Sequence, residues 1–169
     1  GPEAEFGSLG ALSPCWWEPE DGSEPKPWLK ADQAFERFLE WTGSRGIELW
    51  EHQEEALMDL AAGNHVILGT PTGSGKSLVA LGMLFMGMAQ GKRSYYTAPI
   101  KALVSEKFFD LVQVLGRENV GMITGDTHIN TSAPVICCTA EILANDALRE
   151  GEDTDVGCVA MDEFHFFAD

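Results

Sequence analysis

The run Thr70-Pro71-Thr72-Gly73-Ser74-Gly75-Lys76-Ser77 limits the possible folds more than any other feature of the chain. It follows a short apolar stretch, residues 65–69, and opens an apolar helical stretch, residues 77–90. A glycine-rich loop that joins a strand to a helix in this way belongs to sheets built of parallel strands. Glycine lets the backbone come close to a bulky anion, and the helix start adds free N–H groups and a favourable dipole. Thr72, Gly73, Ser74, Gly75, Lys76 and Ser77 are therefore expected to cradle a triphosphate. Lys76 would reach the β- and γ-phosphates, and the Ser77 hydroxyl would bind Mg²⁺. The pattern usually begins with Gly, where this chain has Thr70. A chance glycine-rich turn is the bland alternative, and the strand–loop–helix context argues against it.

The chain beyond the loop keeps that rhythm. Strands are expected over residues 94–98, 120–124, 135–138 and 157–161, and helices over 101–115 and 140–149. Upstream, Phe35, Phe38, Leu39 and Trp41 fall near helical spacing, and Gly43 and Gly46 should end that helix. A second helix should bury Ala56, Leu57, Leu60 and Ala61 and stop at Gly63-Asn64. The expected fold class is α/β, a parallel sheet with helices on both faces. Ligands in such sheets bind at the carboxyl ends of the strands. Every polar motif here follows a strand, so all of them should share one rim.

One further motif fits the phosphate loop. The apolar strand ending at Met161 runs into Asp162-Glu163-Phe164-His165. Asp162 would hold Mg²⁺, and Glu163 would orient and deprotonate an attacking water. Asp-Glu after a strand is weak evidence alone, because a solvated strand end looks the same. Paired with the loop it gains meaning, since the separation leaves room for several βα units.

Composition sets limits on partners. The 169 residues are 44% hydrophobic and 9% aromatic, which suits one packed domain. The formal net charge of −16 opposes a polyanion, so any nucleic-acid contact must come from a local site. The acid crowds the first part of the chain, from Glu18 to Asp59. Residues 1–29 are rich in Gly, Pro, Ser and Glu and read as a flexible leader or a remnant of cloning. The domain proper is expected over residues 30–169. None of Cys15, Cys137, Cys138 and Cys158 sits in a CxxC pair, and the adjacent Cys137 and Cys138 should face opposite sides of a strand. Small buried hydrophobes in a reducing cytoplasm are the plain reading. No apolar run is long enough to span a membrane.

Taken together, these motifs resemble the DExH type of superfamily 2 helicases, from about Ala31 to Asp169. The resemblance implies a RecA-like P-loop NTPase domain that binds ATP and Mg²⁺, ending here just after the DExH motif. It implies that His165 belongs to the catalytic set with Glu163, Lys76 and Asp162. Gln53 is similar to the family's adenine-reading glutamine, with Trp50 near the base. Pro99-Ile100-Lys101 lies in a motif Ia-like run, Thr124-Gly125-Asp126 in a motif Ib-like run, and Thr139-Ala140-Glu141 in the next. In the family these loops hold one nucleic-acid strand by its backbone. Turns and a Thr139 helix cap remain compatible with the same residues.

The wording of the motifs at 98–103 and 161–166 is similar to the superkiller-type RNA helicases and their bacterial relatives. The implied function is ATP-dependent translocation or unwinding of nucleic acid, RNA more than DNA, in the cytoplasm. The implied partner is a second RecA-like domain carrying an arginine finger, without which turnover should be poor. Two alternatives stand beside it: a P-loop phosphotransferase, and a non-motor ATP-dependent nucleic-acid-binding switch.

Overall fold

Parallel strands cannot be joined by tight turns, so each pair demands a crossover, and the helices of this chain supply it. The computed structural model describes residues 9–12, 29–61, 74–150 and 156–161. The helices are α1 (Ala31–Ser44), α2 (Glu51–Ala61), α3 (Ser74–Ala89), α4 (Lys101–Leu115) and α5 (Ala140–Glu150). The strands are β1 (Arg93–Ala98), β2 (Val120–Ile123), β3 (His128–Ile129), β4 (Val135–Thr139) and β5 (Val156–Met161). The sheet order is β3-β2-β4-β1-β5. β1 pairs in parallel with β4 and β5, and β2 pairs in parallel with β4. The expected strand over residues 65–69 lies outside the described residues.

The sheet departs from the expected parallel form at one edge. β3 runs antiparallel to β2, with Met122 opposite Ile129 and Ile123 opposite His128. It is two residues long and exposed on both, so no hydrophobic alternation announces it. Asn130 follows it with φ of 47°, a conformation asparagine tolerates. The Asn130 amide donates to the carbonyls of Arg117, Glu118 and Val120, and so ties the hairpin to the start of β2.

Side chains alternate across the sheet as the pleat requires. Tyr96, Ala98, Val120, Met122, Val135 and Cys137 face one core, which α1, α2, α3 and α4 cover. Tyr95, Ile123, Ile136 and Cys138 face the other, where Ile142 and Leu143 of α5 pack. Helices thus lie on both faces. Cys137 and Cys138 are buried free thiols that belong to different cores, as their adjacency in a strand demands. Burial pushes the Cys137 thiol far above its ordinary pKa, so it stays protonated and packs as a hydrophobe.

Helix spacing explains the larger core. α1 buries Ala34, Phe38, Trp41 and Thr42, a stripe at i, i+4, i+7 and i+8. Full burial of a side chain like Phe38 stabilises the fold by about 1.5–3 kcal/mol. Gly43 lies inside α1. Gly46, with φ of 69°, ends it, and the Ile47 N–H closes the turn on the Thr42 carbonyl at 2.9 Å. The three helices α1, α2 and α3 meet at Gly82. A Cβ there would lie 2.8 Å from both Leu57 and Phe38, so only glycine permits the approach.

Leu9 and Gly10, within the stretch expected to be a leader, are buried, and Leu12 is half-buried. Leu9 is 0% exposed, and its N–H donates to the Val114 carbonyl at 3.1 Å. Gly10 presses on the Leu115 carbonyl, leaving no room for a Cβ. The Arg37 guanidinium donates to the Leu12 carbonyl at 3.0 Å. A short helical turn at Gly10–Leu12 thereby joins α1 to the C-terminal end of α4.

Candidate functional site

The register of the sheet puts the ends of four strands level. Ile123 pairs with Cys138, Ala98 with Thr139, and Thr97 with Met161. Strands β1, β2, β4 and β5 therefore end along one rim. The described segments that leave it begin at Pro99, Thr124 and Ala140. Asp162, Glu163 and His165 lie outside the described residues, as do Thr72 and Gly73 of the loop.

The helix after the loop begins earlier than the sequence suggests. α3 starts at Ser74, so Gly75, Lys76 and Ser77 form its first turn rather than its approach. The first N–H groups of a helix have no partner within it. That turn contains no acidic residue, so nothing in it repels an anion. Free amides and the helix dipole suit a phosphate group there. Backbone amides of this kind are what the expected triphosphate would need. α3 packs on β1 and β5, which puts its strand neighbour immediately before Asp162.

Gln53 stands at the third position of α2, and its side chain is 5% exposed. Its Oε1 accepts the Trp50 N–H at 2.8 Å. This is half of a capping box, which satisfies a donor the helix cannot. Trp50 is 71% exposed and meets the His52 ring edge-on at 5.8 Å between centroids. α2 packs along α3, so Gln53 shares a wall with the helix that opens at the loop.

The motif after β1 is a turn into α4. Pro99 and Ile100 are exposed, and Ile100 is extended with φ of −134° and ψ of 152°. No side chain caps this helix, and its first turn lacks an acidic residue. Its first residue is Lys101, a cation at the positive end of the dipole, which is unfavourable. The compensating charge comes from another loop. Lys101 Nζ donates to both oxygens of Asp126 at 2.7 Å.

Asp126 is held by its own turn as well. Thr124 Oγ1 donates to Asp126 Oδ1 at 3.1 Å, and Thr127 Oγ1 donates to it at 3.3 Å. The Thr124 N–H meets the Thr127 carbonyl at 2.9 Å and closes the turn. Thr124 is buried, whereas Gly125 and Asp126 are exposed. The Lys101 hydrogen bond, then that of Thr124, holds the Asp126 carboxyl below the usual carboxylate range. Thr139 ends β4 half-buried, and Ala140 and Glu141 open α5 exposed to solvent. The geometry therefore brings the first two expected nucleic-acid segments into direct contact and aligns the third beside them. Thr127 escaped the sequence reading. The signal was there, an Asp between two Thr with a Gly, a composition that favours local turn bonds.

The chain matches the DEAD/DEAH box helicase family over residues 50–169. It is 35% identical over 130 residues to "Probable helicase HelY" of Mycobacterium tuberculosis, covering 76% of this chain and 14% of that protein. It is 38% identical over 125 residues to "Antiviral helicase SKI2" of Saccharomyces cerevisiae, covering 73% of this chain and 10% of that protein. It is 34% identical over 124 residues to the chloroplastic "DExH-box ATP-dependent RNA helicase DExH15" of Arabidopsis thaliana, covering 69% of this chain and 11% of that protein.

Proposed function

Since the chain belongs to the DEAD/DEAH box helicase family, we propose that it forms the ATP-binding part of an RNA helicase motor. The observation that supports this most is the level rim. Ala98, Ile123, Thr139 and Met161 end their strands together, so a nucleotide site and a strand-binding track can share one edge. In this reading the loop through Lys76 and Ser77 takes the phosphates of ATP, and Gln53 reads adenine. Ser77 and Asp162 hold Mg²⁺, which offsets charge on the β- and γ-phosphates when bound. Glu163 accepts a proton from the attacking water as the bond to the terminal phosphoryl group breaks, leaving ADP and phosphate. His165 belongs to the same catalytic set.

The nucleic acid is single-stranded RNA, gripped by its backbone along residues 99–101, 124–126 and 139–141. The relatives named as RNA helicases support RNA over DNA. Full turnover requires a second RecA-like domain as partner. A cytoplasmic setting belongs to the same proposal, and the buried free thiols of Cys137 and Cys138 suit a reducing compartment. No helix among the described residues is long and apolar enough to cross a membrane.

ATP hydrolysis should be measured with and without single-stranded RNA, joined to a second RecA-like domain, alongside binding of a fluorescent ATP analogue. We expect RNA to raise the rate and Lys76→Ala to abolish analogue binding. An RNA-independent rate would favour a phosphotransferase, and stimulation without strand separation would favour a switch. Undiminished binding by Lys76→Ala would remove the nucleotide site from this loop.

A further inference from the structure

Nine described residues form the three rim segments, and among them Lys101 is the one cation, outnumbered by the carboxylates of Asp126 and Glu141. A chain with a net charge of −16 cannot rely on its overall field to attract a phosphate backbone. Whatever Lys101 does at this rim therefore matters out of proportion. In the free protein its charge is already spent on Asp126.

We propose that Asp126 acts as a built-in substitute for a backbone phosphate, holding Lys101 until a nucleic-acid strand crosses the rim and takes the lysine over. This rests on the reading that the rim carries nucleic acid. It adds how that site is kept in check. Three observations carry it.

The first is the form of the contact. Lys101 Nζ lies 2.7 Å from both Asp126 oxygens, much as an ammonium would meet two oxygens of a phosphate. The second is access. The two side chains remain 51% and 70% exposed, so a polymer can reach them. An exposed pair in water is weak, as a replaceable contact must be.

The third is the asymmetry of support. Asp126 is fixed from its own side by Thr124 and Thr127, in a turn closed by a backbone bond. Lysine sits on a flexible four-carbon stem with three rotatable donors. When the pair opens, the carboxylate stays and the ammonium swings. The lysine also begins an uncapped helix without an acid in its first turn, so it always wants an anion. Asp126 and a phosphate compete for that single vacancy.

Competition has a signature that a merely structural clip lacks. Removing the carboxylate should tighten binding, whereas removing a clip should loosen the turn and weaken it. The probe is a fluorescein-labelled single-stranded RNA of mixed sequence, titrated by anisotropy into this chain across a series of salt concentrations. We expect Asp126→Asn to bind several-fold tighter at low salt. Its plot of log affinity against log salt should steepen by about 0.7, the value for one more phosphate contact on a single strand. Lys101→Gln should bind more weakly and flatten the slope by about the same amount. In the Lys101→Gln background, Asp126→Asn should lose most of its gain, because no lysine is left to release. Asp126→Glu, which keeps the charge, should stay near the parent.

Equal or weaker binding by Asp126→Asn overturns the exchange while leaving the nucleic-acid reading of the rim intact. So does an equal gain with and without Lys101, which would mean simple repulsion. No binding by the parent at low salt would overturn both.

Discussion

The two ends of α4 are built to opposite ends. At its C-terminal end the side chains are packed inward. Leu115 and Val112 are buried, the Asn119 amide donates to the Leu115 carbonyl at 2.5 Å, and the buried Leu9 bonds through its N–H to the Val114 carbonyl. The chain leaves through Gly116, whose φ is 96°. At its N-terminal end the first residues stand open, although Val104 is buried one turn in. Ile100 is 56% exposed, no side chain caps the helix, and Lys101 reaches out to a carboxylate on another loop. One helix thus joins a sealed base to an open rim. The contrast teaches that stability and binding are placed apart along α4. Groups at the base bond inward, and groups at the rim hold contacts that a ligand can replace.

The largest effect expected from this contrast lies at the rim and concerns rate. Glu163→Gln keeps shape and hydrogen bonding but removes the base. With a second RecA-like domain present, hydrolysis should fall by roughly 10²- to 10⁴-fold, the usual worth of a general base. ATP should still bind, and the thermal midpoint should hold. A parent-like rate would remove Glu163 from the chemistry.

Next comes the base. Leu9→Ala empties a fully buried site between α1 and α4. Urea unfolding should show a loss of about 2–5 kcal/mol, with nucleotide and RNA affinities unchanged under native conditions. An unchanged midpoint would mean that residues 9–12 add nothing to the sealed end, and the contrast would fail.

The smallest effect is the acid titration of Asp126. Its carboxyl is held below the ordinary value, chiefly by Lys101. A depressed folded pKa means that the pair contributes above the ordinary carboxylate pKa and is lost as pH falls through the depressed one. Because both side chains are exposed, this loss should free Lys101 without unfolding the domain. Amide shifts of Thr124 and Thr127 should titrate together in that window while far-ultraviolet circular dichroism stays flat. Titration of those shifts only together with global unfolding would show the rim to be as integral as the base.

How much of this was readable in the sequence depends on what each element rests on. Residues 101–115 were legible to the residue, because Pro99 keeps Ala98 out of the helix and Gly116 marks the stop. The four longer strands were legible because short runs rich in apolar, aromatic and β-branched residues between turn residues have few other uses. α3 was placed three residues late. Ser74 and Gly75 look like loop residues, and only the geometry shows them wound into the first turn. β3 was invisible, being short and polar-faced. Leu9 was lost in a segment without period, since a single apolar anchor leaves no pattern. Gln53 was singled out for adenine, yet its cap on Trp50 depends on a helix boundary that sequence fixes poorly. The Lys101–Asp126 pair spans 25 positions, and no local rule reaches that far.

The crossing at Gly82 has a consequence for how the molecule breathes. Three helices rest on one another there with a bare backbone as the pivot, and each of Phe38 and Leu57 is 0% exposed. Such a contact does not open by degrees, because any parting of the helices exposes both side chains at once. Backbone amides around it should therefore exchange with solvent as one cooperative unit rather than helix by helix. A ligand that favours the closed form at the start of α3 raises the cost of that opening for all three. Protection from deuterium would then spread into α1, on behalf of an event that no residue of α1 touches.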